Sequence, residues 1–466
     1  MSARPPTRQI PNRTVVTSFS PASSSSSSSP VSVYDEGHYV LHIACGPCDT
    51  QGQGQGQFKT PLSCALSNRC VQTYDRETLK LIHSIDQAHD GPITDICHSQ
   101  IASSGDSIQS PLLVTSSEDG LVRIFDLRTS SSTSSNGHGK TSSVLQLGMP
   151  HKAEEALSVS IGYNGALAAV GTNKGFIHFY DLRHLSNNST NSTNNTNTNT
   201  NQQQPLGSYV DAHTDDVTKV RFQKHSRDNH TTTPLLLTAS EDGLACTFDT
   251  SQPSEELALK SIINIGSPLR DVGFFGPNLE GLYCLTGSET MSVWHHDSAQ
   301  RIGDFGDVRN HLGDLAGVGI QYLVGCAWME VEQELVLLAG NHEGDCVLYK
   351  VDAGSLEVKK IMSGGHRGCI RSFVPVSSNS NSNSNSNAGN GNRNWSGSGN
   401  GTCFITAGED SRLCEWSERI EHGKGNTGIN SGSKANSYSL SSEQVAPKYG
   451  GGVIRRQKKK KGHSPY

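Results

Sequence analysis

The stretch Thr115-Ser-Ser-Glu-Asp-Gly-Leu-Val-Arg-Ile-Phe-Asp-Leu-Arg128 predicts two short strands joined by a tight turn. Its Asp-Gly pair allows the positive φ that a two-residue hairpin turn requires. The pattern returns in Thr238-Ala-Ser-Glu-Asp-Gly-Leu-Ala-Cys-Thr-Phe-Asp249 and in Thr406-Ala-Gly-Glu-Asp-Ser-Arg-Leu-Cys-Glu-Trp416. Three copies of one hairpin indicate a repeat protein, whose units bury their apolar faces against each other.

Seven aromatic residues mark the ends of the third strands in the predicted repeats. Repeats of roughly 40–45 residues with four strands each are typical of β-propeller blades. The two longest intervals contain polar tracts, which we predict to be insertions at about residues 185–206 and 377–401, because such tracts bury too little apolar area to fold. The sequence therefore predicts an all-β, seven-bladed propeller with third-strand aromatics at Tyr74, Phe125, Tyr180, Phe248, Trp294, Tyr349 and Trp416.

The repeats resemble those of the WD-repeat β-propeller family. In that family a His before the first strand, a Ser or Thr in the second, an Asp in the following turn and a Trp ending the third form a structural hydrogen-bond network. Phe125 and Phe248 carry no indole N–H, so two of the implied networks lack one donor. The other blades match weakly, as Lys174, Ser288 and Glu343 show at the turn position. The resemblance assigns the networks to His89, Thr115 and Asp119, to His213, Thr238 and Asp242, and to His366, Thr406, Asp410 and Trp416.

Further segments narrow the resemblance to the family of WD repeat-containing protein 89. They are residues 213–222, 364–373, 306–309 and 322–325, and the likeness extends from about Tyr39 to Trp416. In propellers of this type the first strand commonly closes the last blade. The resemblance therefore implies that residues 39–45 pair with the strand that ends at Trp416, which removes the free edges of the ring.

Composition divides the chain into three parts. Residues 1–33 are rich in Ser and Pro and are predicted to be a disordered N-terminus, residues 34–420 form the propeller, and residues 421–466 form a disordered linker and basic tail. No apolar run approaches the ~18 residues of a membrane span, and the N-terminus has no apolar stretch of a secretory signal. The 12 Cys residues lie mostly in predicted strands, which favours a reducing compartment.

The charge of the chain is unevenly distributed. The total is −6, with 38 Lys and Arg against 44 Asp and Glu; six cations lie in the tail, so the rest carries (38 − 6) − 44 = −12. A nuclear import signal is the leading interpretation of the tail, with weak contact to nucleic-acid phosphates or a solubilising role as alternatives. Sequence-specific nucleic-acid binding is disfavoured, because no aromatic residues interleave the cations. These cations are Arg455, Arg456, Lys458, Lys459, Lys460 and Lys461.

Thiol and metal chemistry have weak sequence support. Cys45-Gly-Pro-Cys48 has the residues of a thioredoxin redox centre, but such a thiolate needs a helix N-terminus, and here the motif follows a predicted strand. His295-His296-Asp297 resembles a metal corner, but we expect adjacent strand residues to point to opposite faces. The sequence predicts no cofactor, no metal site and no catalytic residues.

Two Asp-x-Arg motifs follow the third-strand aromatics of consecutive blades. They are Asp126-Leu-Arg128 and Asp181-Leu-Arg183. The motif resembles the signature of WD-repeat substrate receptors for cullin-4 ubiquitin ligases, in which the Arg contacts the ligase adaptor. An exposed guanidinium suits a carboxylate partner, although such an Arg can equally pair within its own protein.

These patterns together favour a non-catalytic scaffold that presents a rigid propeller surface to other proteins in a nuclear or nucleocytoplasmic complex. The first alternative is a cullin-4 substrate receptor that uses Arg128 and Arg183. The second is a thiol redox protein that uses Cys45 and Cys48. We expect protein partners, no membrane and only weak, non-specific contact with nucleic acid. The expected location is the nucleus, the cytoplasm or both.

Overall fold

The fold of the chain is a seven-bladed β-propeller. The computed structural model describes residues 8–17, 38–46, 61–101, 110–127, 143–183, 202–223, 235–376 and 403–417. Within these residues seven sheets form, each with four antiparallel strands in chain order from the centre outward, except that the outer strand of the seventh comes from the N-terminus. The predicted fold class is therefore confirmed.

The strands of the seven blades have the following bounds. Blade 1 contains Val40–Cys45, Pro61–Leu66, Val71–Asp75 and Leu81–Ile85, and blade 2 contains Ile93–Ile101, Ser110–Ser117, Leu121–Asp126 and Leu145–Gly148. Blade 3 contains Ala156–Gly162, Leu167–Thr172, Ile177–Asp181 and Gly207–Tyr209, and blade 4 contains Val217–Phe222, Leu235–Ser240, Leu244–Asp249 and Leu259–Asn264. Blade 5 contains Leu269–Phe275, Gly281–Thr286, Thr290–His295 and Gln300–Asp307, and blade 6 contains Tyr322–Met329, Glu334–Gly340, Cys346–Val351 and Leu356–Met362. Blade 7 contains Ile370–Val376, Cys403–Gly408, Arg412–Ser417 and Arg13–Val16.

The core lies between neighbouring blades. The inner strands contact each other in order around the ring, and blade 7 contacts blade 1. One apolar cluster joins Val114 and Ile124 of blade 2 to Val170 of blade 3, and another joins Leu62 of blade 1 to Ile405 of blade 7. Each blade therefore depends on its neighbours for burial, as expected of stacked repeats.

All seven predicted aromatic residues lie in third strands. Six of them are buried. Trp294 of blade 5 is partly exposed, and the guanidinium of Arg301 lies 5.9 Å from its ring centre. The seven third-strand positions predicted from the spacing of the aromatic residues are thus third-strand positions in the fold.

The predicted closing strand was wrong. Val40–Cys45 is the inner strand of blade 1, where it pairs with Pro61–Leu66. The ring is closed instead by Arg13–Val16, which pairs antiparallel with the third strand of blade 7 from Glu415 to Arg412. Two strands, Arg8–Gln9 and Arg13–Val16, therefore lie within the segment predicted to be disordered. The reason is long-range: Arg13 forms an ion pair of 3.2 Å with the buried Glu415, and Val15 packs on the seam between blades 7 and 1.

Two short strands extend the outer edges of blades 2 and 6. Arg8–Gln9 pairs parallel with Ile361 and Met362, and Gln202–Gln203 pairs parallel with Gln146 and Leu147. Each leads into the outer strand of the next blade. The end of the first predicted insertion is thus anchored, whereas most of that insertion, residues 377–401 and the C-terminal tail lie outside the described residues.

Helices are few and short in the described part of the chain. They are Glu255–Ala258, Arg309–Ala316 and the 3-10 helix Tyr163–Gly165. Arg309–Ala316 joins blades 5 and 6 and ends at Gly317, whose φ of 63° is the left-handed conformation that glycine adopts readily. None of these helices is long and apolar enough to span a membrane.

Candidate functional site

The loops that precede the inner strands and the turns between second and third strands lie together at one end of the ring. We call this end the upper face. The hydrogen bonds described below join the two kinds of loop in blades 2, 4 and 7. The described loops are 86–92, 149–155, 210–216, 265–268, 308–321 and 363–369, and the turns are 67–70, 118–120, 173–176, 241–243, 287–289, 341–345 and 409–411.

In blade 2 the buried His89 links a loop to a turn. Its Nδ1 lies 3.0 Å from Oδ2 of Asp119, and its Nε2 lies 2.7 Å from the Thr115 hydroxyl. Burial by itself would raise the pKa of Asp119, but the hydrogen bond and charge of His89 and the N–H groups of Asp90 and Leu121 lower it below its ordinary value. The carboxylate therefore stays ionised and holds the loop.

The same arrangement recurs in blades 4 and 7. His213 lies 3.1 Å from Asp242 and 2.8 Å from Thr238. In blade 7, His366 lies 3.0 Å from Asp410 and 2.8 Å from Thr406, whose hydroxyl also accepts the Trp416 indole N–H at 2.8 Å. The structure thus brings together all the residues that the sequence grouped into three networks.

The aromatic residue of each network is matched to the residue before its His. Ala88 and Ala212 precede His89 and His213 in the two blades with Phe. In blade 7 the preceding residue is Gly365, where an added Cβ would lie 2.8 Å from the Trp416 ring. The larger indole therefore requires the smaller neighbour, a pairing that the sequence analysis missed although both residue types were visible.

Blade 3 replaces the network with a different buried pair. Oε1 of Glu154 lies 2.8 Å from Nε2 of His178, and both side chains are inaccessible to solvent. His178 also contacts the Ser208 hydroxyl at 2.6 Å, so the pair ties the third strand to the outer strand. Burial would raise the pKa of Glu154, but hydrogen bonds from His178 and Thr172 lower it. No local motif in the sequence points to this pair.

The remaining turns use neutral side chains. Asn68 of blade 1 accepts the Cys70 N–H at 3.2 Å, and Asn341 of blade 6 accepts the N–H groups of Glu343 and Asp345. In blade 5 the Thr286 hydroxyl contacts that of Ser288 at 2.9 Å. Side-chain hydrogen bonds also link two of these turns to the preceding loops, between the Ser288 and Ser267 hydroxyls at 3.2 Å and from the His342 N–H to Gln321 at 2.7 Å, in place of a His–Asp network.

The central channel is bridged by an ion cluster that the sequence analysis did not anticipate. Every inner strand carries a register shift, a β-bulge, near its start. Asp95 of blade 2 follows its bulge and contacts Arg221 of blade 4 at 2.9 Å and Lys219 at 3.8 Å. The Ser158 hydroxyl of blade 3 donates to the same carboxylate at 2.6 Å. The residues after the seven bulges are His42, Asp95, Ser158, Lys219, Asp271, Gly325 and Ser372.

Burial controls ionisation in this cluster. Burial would raise the pKa of Asp95, but Arg221 and Lys219 outweigh it and hold the pKa below its ordinary value. Burial, assisted by the charge of Lys219, lowers the pKa of His42 to about 4. Burial raises the pKa of Asp271 despite the nearby Arg221. The channel at neutral pH thus contains a neutral imidazole beside a compensated ion cluster.

The upper face of blades 2 to 4 carries an excess of exposed negative charge. Its described loops there carry a series of carboxylates that are exposed or partly exposed, beside the exposed Lys152 and Lys174. The charge of this part of the face is negative. The carboxylates are Asp86, Asp90, Glu118, Glu155, Asp211, Asp215, Asp216 and Glu241.

Arg183 is exposed but bound within its own motif. Its Nε and Nη2 donate to the two carboxylate oxygens of Asp181, at 2.9 Å and 2.6 Å. Arg309 makes the same two bonds to Asp307 in another Asp-x-Arg sequence. This bidentate Arg–Asp contact therefore follows from the local geometry of the Asp-x-Arg sequence. Arg128 lies outside the described residues.

The thiol and metal candidates are not assembled into sites by the described residues. Cys45 ends the inner strand of blade 1 and none of the helices in the described ranges begins next to it, and Cys48 lies outside those ranges. The rings of His295 and His296 stack with centres 5.8 Å apart rather than pointing to opposite faces, because His296 lies beyond the end of its strand. No group of three or more ligating side chains suited to a metal ion occurs in the part of the chain that the structure describes. The six cations of the predicted import signal fall outside it.

Comparison with known proteins agrees with this architecture. Residues 54–251 match the family described as nucleolar protein 10-like, N-terminal domain. The WD repeat-containing protein 89 homolog of Dictyostelium discoideum is 24% identical over 314 residues, which cover 67% of this chain and 70% of the relative. WD repeat-containing protein GTS1 of Arabidopsis thaliana is 27% identical over 414 residues, which cover 87% of this chain and 86% of the relative.

A solved structure shows the same fold. A chain in a crystal structure of the mitotic checkpoint complex aligns with a TM-score of 0.54 and 12% identity, over 90% of this chain and 95% of that one. The protein is a WD-repeat β-propeller. Within that class, the predicted likeness to WD repeat-containing protein 89 is confirmed by the relative from Dictyostelium discoideum.

Proposed function

We propose that the chain is a non-catalytic scaffold that binds protein partners through the upper face of blades 2 to 4. The observation that carries this proposal is the negative charge of loops that are fixed from beneath by His89, His213 and the Glu154–His178 pair. Loops that are already ordered lose little conformational entropy on binding. A negative face steers and selects partners with a basic surface.

A nuclear or nucleocytoplasmic complex is the proposed setting. The matching family takes its description from a nucleolar protein. The basic run at residues 455–461 has the composition of an import signal. We expect deletion of residues 455–461 to shift a fluorescently tagged chain from nucleus to cytoplasm, and deletion of the uncharged residues 436–442 to leave it in place. An unchanged nuclear signal after the first deletion would remove this part of the proposal.

Affinity purification from cells tests the binding face. The variant Asp215→Lys/Glu241→Lys reverses two exposed charges of the upper face. The matched control Glu330→Lys/Asp352→Lys reverses two exposed charges in turns at the opposite end of blade 6. We expect the first variant to lose partners that the wild type and the control both retain. Equal partner sets for all three proteins would show that this face does not carry the binding.

A further inference from the structure

One thiol on the upper face differs from the other described cysteines. Eleven cysteines are described, none of them in a disulfide bond, and eight are buried, seven in strands and Cys70 in a turn. Cys45, Cys97 and Cys369 are partly exposed. Cys369 lies in the loop before the inner strand of blade 7, three residues after His366. It is therefore placed where reagents in solution can reach it.

The thiol of Cys369 contacts a histidine from the neighbouring blade. Nδ1 of His342 lies 2.9 Å from Sγ of Cys369. His342 belongs to the turn between the second and third strands of blade 6, so the contact joins two upper-face loops. A sulfur and an imidazole nitrogen at this distance can exchange a proton directly.

The imidazole is held in position by its surroundings. Its ring packs on that of Tyr322 with centres 5.6 Å apart, and the backbone N–H of His342 donates to Oε1 of Gln321 at 2.7 Å. The Tyr322 hydroxyl accepts the Ile370 N–H at 2.6 Å, which fixes the tyrosine against blade 7. A nucleophile and a base are thus present together, and a tyrosine ring packs against the base.

The surrounding charges make the base necessary. Burial and the carboxylate of Glu409 raise the pKa of the Cys369 thiol, and Arg371 opposes them. The Arg371 guanidinium also donates to Glu409 at 2.7 Å, which offsets part of that negative charge. Because little thiolate forms freely at neutral pH, reaction of this sulfur requires that His342 accept its proton.

We propose that Cys369 is a site of oxidation by hydroperoxides, with His342 as the base. Sγ attacks the terminal oxygen of the hydroperoxide, an S–O bond forms and the O–O bond breaks. The thiol proton passes through Nδ1 of His342 to the departing alkoxide, which leaves as an alcohol. The sulfur is oxidised to sulfenic acid and the peroxide is reduced. Oxidation then alters the upper face beside Arg367 and Arg371.

Peptide-resolved labelling of the full chain tests this chemistry. The protein is exposed to hydrogen peroxide, sulfenic acids are trapped with dimedone, and each cysteine is quantified by mass spectrometry. We expect Cys369 to be trapped faster than Cys45 and Cys97 in the same sample. His342→Gln should slow trapping at Cys369 by at least about tenfold, because it removes the base. Glu409→Gln should accelerate it, because it removes the charge that disfavours the thiolate.

Chemical rescue distinguishes a base from a packing role. In His342→Gly, added imidazole should restore oxidation of Cys369, which a purely structural histidine would not allow. The proposal is overturned if Cys369 reacts no faster than Cys45 and Cys97, or if His342→Gln reacts like the wild type. Because trapping reports the sulfur alone, its outcome does not depend on whether the upper face binds the proposed partners.

Discussion

The carboxylate of Asp95 lies 2.9 Å from the guanidinium of Arg221, although the two residues belong to blades 2 and 4. Between them Ser158 of blade 3 donates its hydroxyl to the same carboxylate and accepts the backbone N–H of Val220. Because the Ser158 side chain is small, Asp95 and Arg221 can contact each other across blade 3. Three successive blades are therefore tied together across the channel by one buried carboxylate.

Removal of this carboxylate should destabilise the ring. We expect Asp95→Asn to lower the free energy of unfolding by about 3 kcal/mol, because Arg221 and Lys219 lose their compensating charge in a buried site. The double variant Asp95→Asn/Arg221→Met should lose less unfolding free energy than the two single variants combined, because each single change already breaks the same ion pair. Denaturant unfolding measures each value. The control Asp304→Asn breaks the exposed pair with Arg301 and should cost less than about 1 kcal/mol. Equal losses in both variants would contradict a special role for Asp95.

The neutral His42 predicts a loss of stability in mild acid. Its pKa is about 4 in the folded chain and 6.5 when unperturbed, so the unfolded chain takes up a proton first as the pH falls. The contribution of His42 is complete above pH 6.5 and decreases as the pH falls towards 4. Between pH 7 and pH 5 the wild type should lose about 2 kcal/mol more than His42→Gln. If the free energy of unfolding fell equally with pH in the wild type and in His42→Gln, His42 would be protonated as easily in the folded chain as in the unfolded chain.

The pairing of Gly365 with Trp416 predicts compensation between two substitutions. Gly365→Ala alone should cost about 1–3 kcal/mol, because its Cβ would lie 2.8 Å from the indole ring. Trp416→Phe alone should cost about 1 kcal/mol or more, because Thr406 loses the indole N–H and a space opens. The double variant recreates the Ala and Phe of blades 2 and 4. It should recover at least about 1 kcal/mol relative to the sum, and strictly additive losses in thermal or denaturant unfolding would contradict this pairing.

The sequence predicted the parts of the fold that are encoded locally. The hairpins and their third-strand aromatics lie within short segments, so their period was visible and the seven blades followed. The grouping of His89, Thr115 and Asp119 was likewise implied by the family resemblance, because blades 2, 4 and 7 carry the same residues at the same positions. In contrast, Asp95 and Arg221 are 126 residues apart, and only the packing of blades 2, 3 and 4 around the channel brings them together.

The closing strand was missed for a similar reason. Arg13–Val16 contains three β-branched residues, which favour a strand, but it has only four residues and lies in a segment rich in Ser and Pro. Its place is decided by the unpaired edge of Arg412–Ser417 and by the buried Glu415, both about 400 residues away in the chain. A strand this short depends on tertiary pairing as well as on its own composition.

Charge reversal at the seam tests the closing strand. Arg13→Glu would place a carboxylate against the buried Glu415, which lies 3.2 Å from Arg13 in the wild type. Arg13 is 38% exposed, so solvent screens part of the repulsion, and we expect a loss of about 1–2 kcal/mol in denaturant unfolding together with faster proteolysis near the N-terminus. The control Arg301→Glu reverses an exposed charge on blade 5 and should leave both measurements nearly unchanged. If Arg13→Glu changed the free energy of unfolding and the rate of proteolysis as little as Arg301→Glu does, the Arg13–Glu415 ion pair would not stabilise the closing strand. Backbone pairing alone would then hold it.

The bidentate Arg–Asp contacts within the Asp-x-Arg motifs argue against the cullin-4 substrate-receptor alternative. Arg183 and Arg309 bind the carboxylates of Asp181 and Asp307 with the same two donors, yet Arg183 follows a third strand and Arg309 begins a helix on the upper face. Because one local geometry explains both, we expect the partners of Arg128→Ala/Arg183→Ala to match those of the wild type and of the control Arg309→Ala in affinity purification. Loss of cullin-4 and its adaptor from the Arg128→Ala/Arg183→Ala variant alone would reverse this conclusion. It would show that the adaptor displaces Asp181 from the Arg183 guanidinium. The propeller would then serve as a substrate receptor.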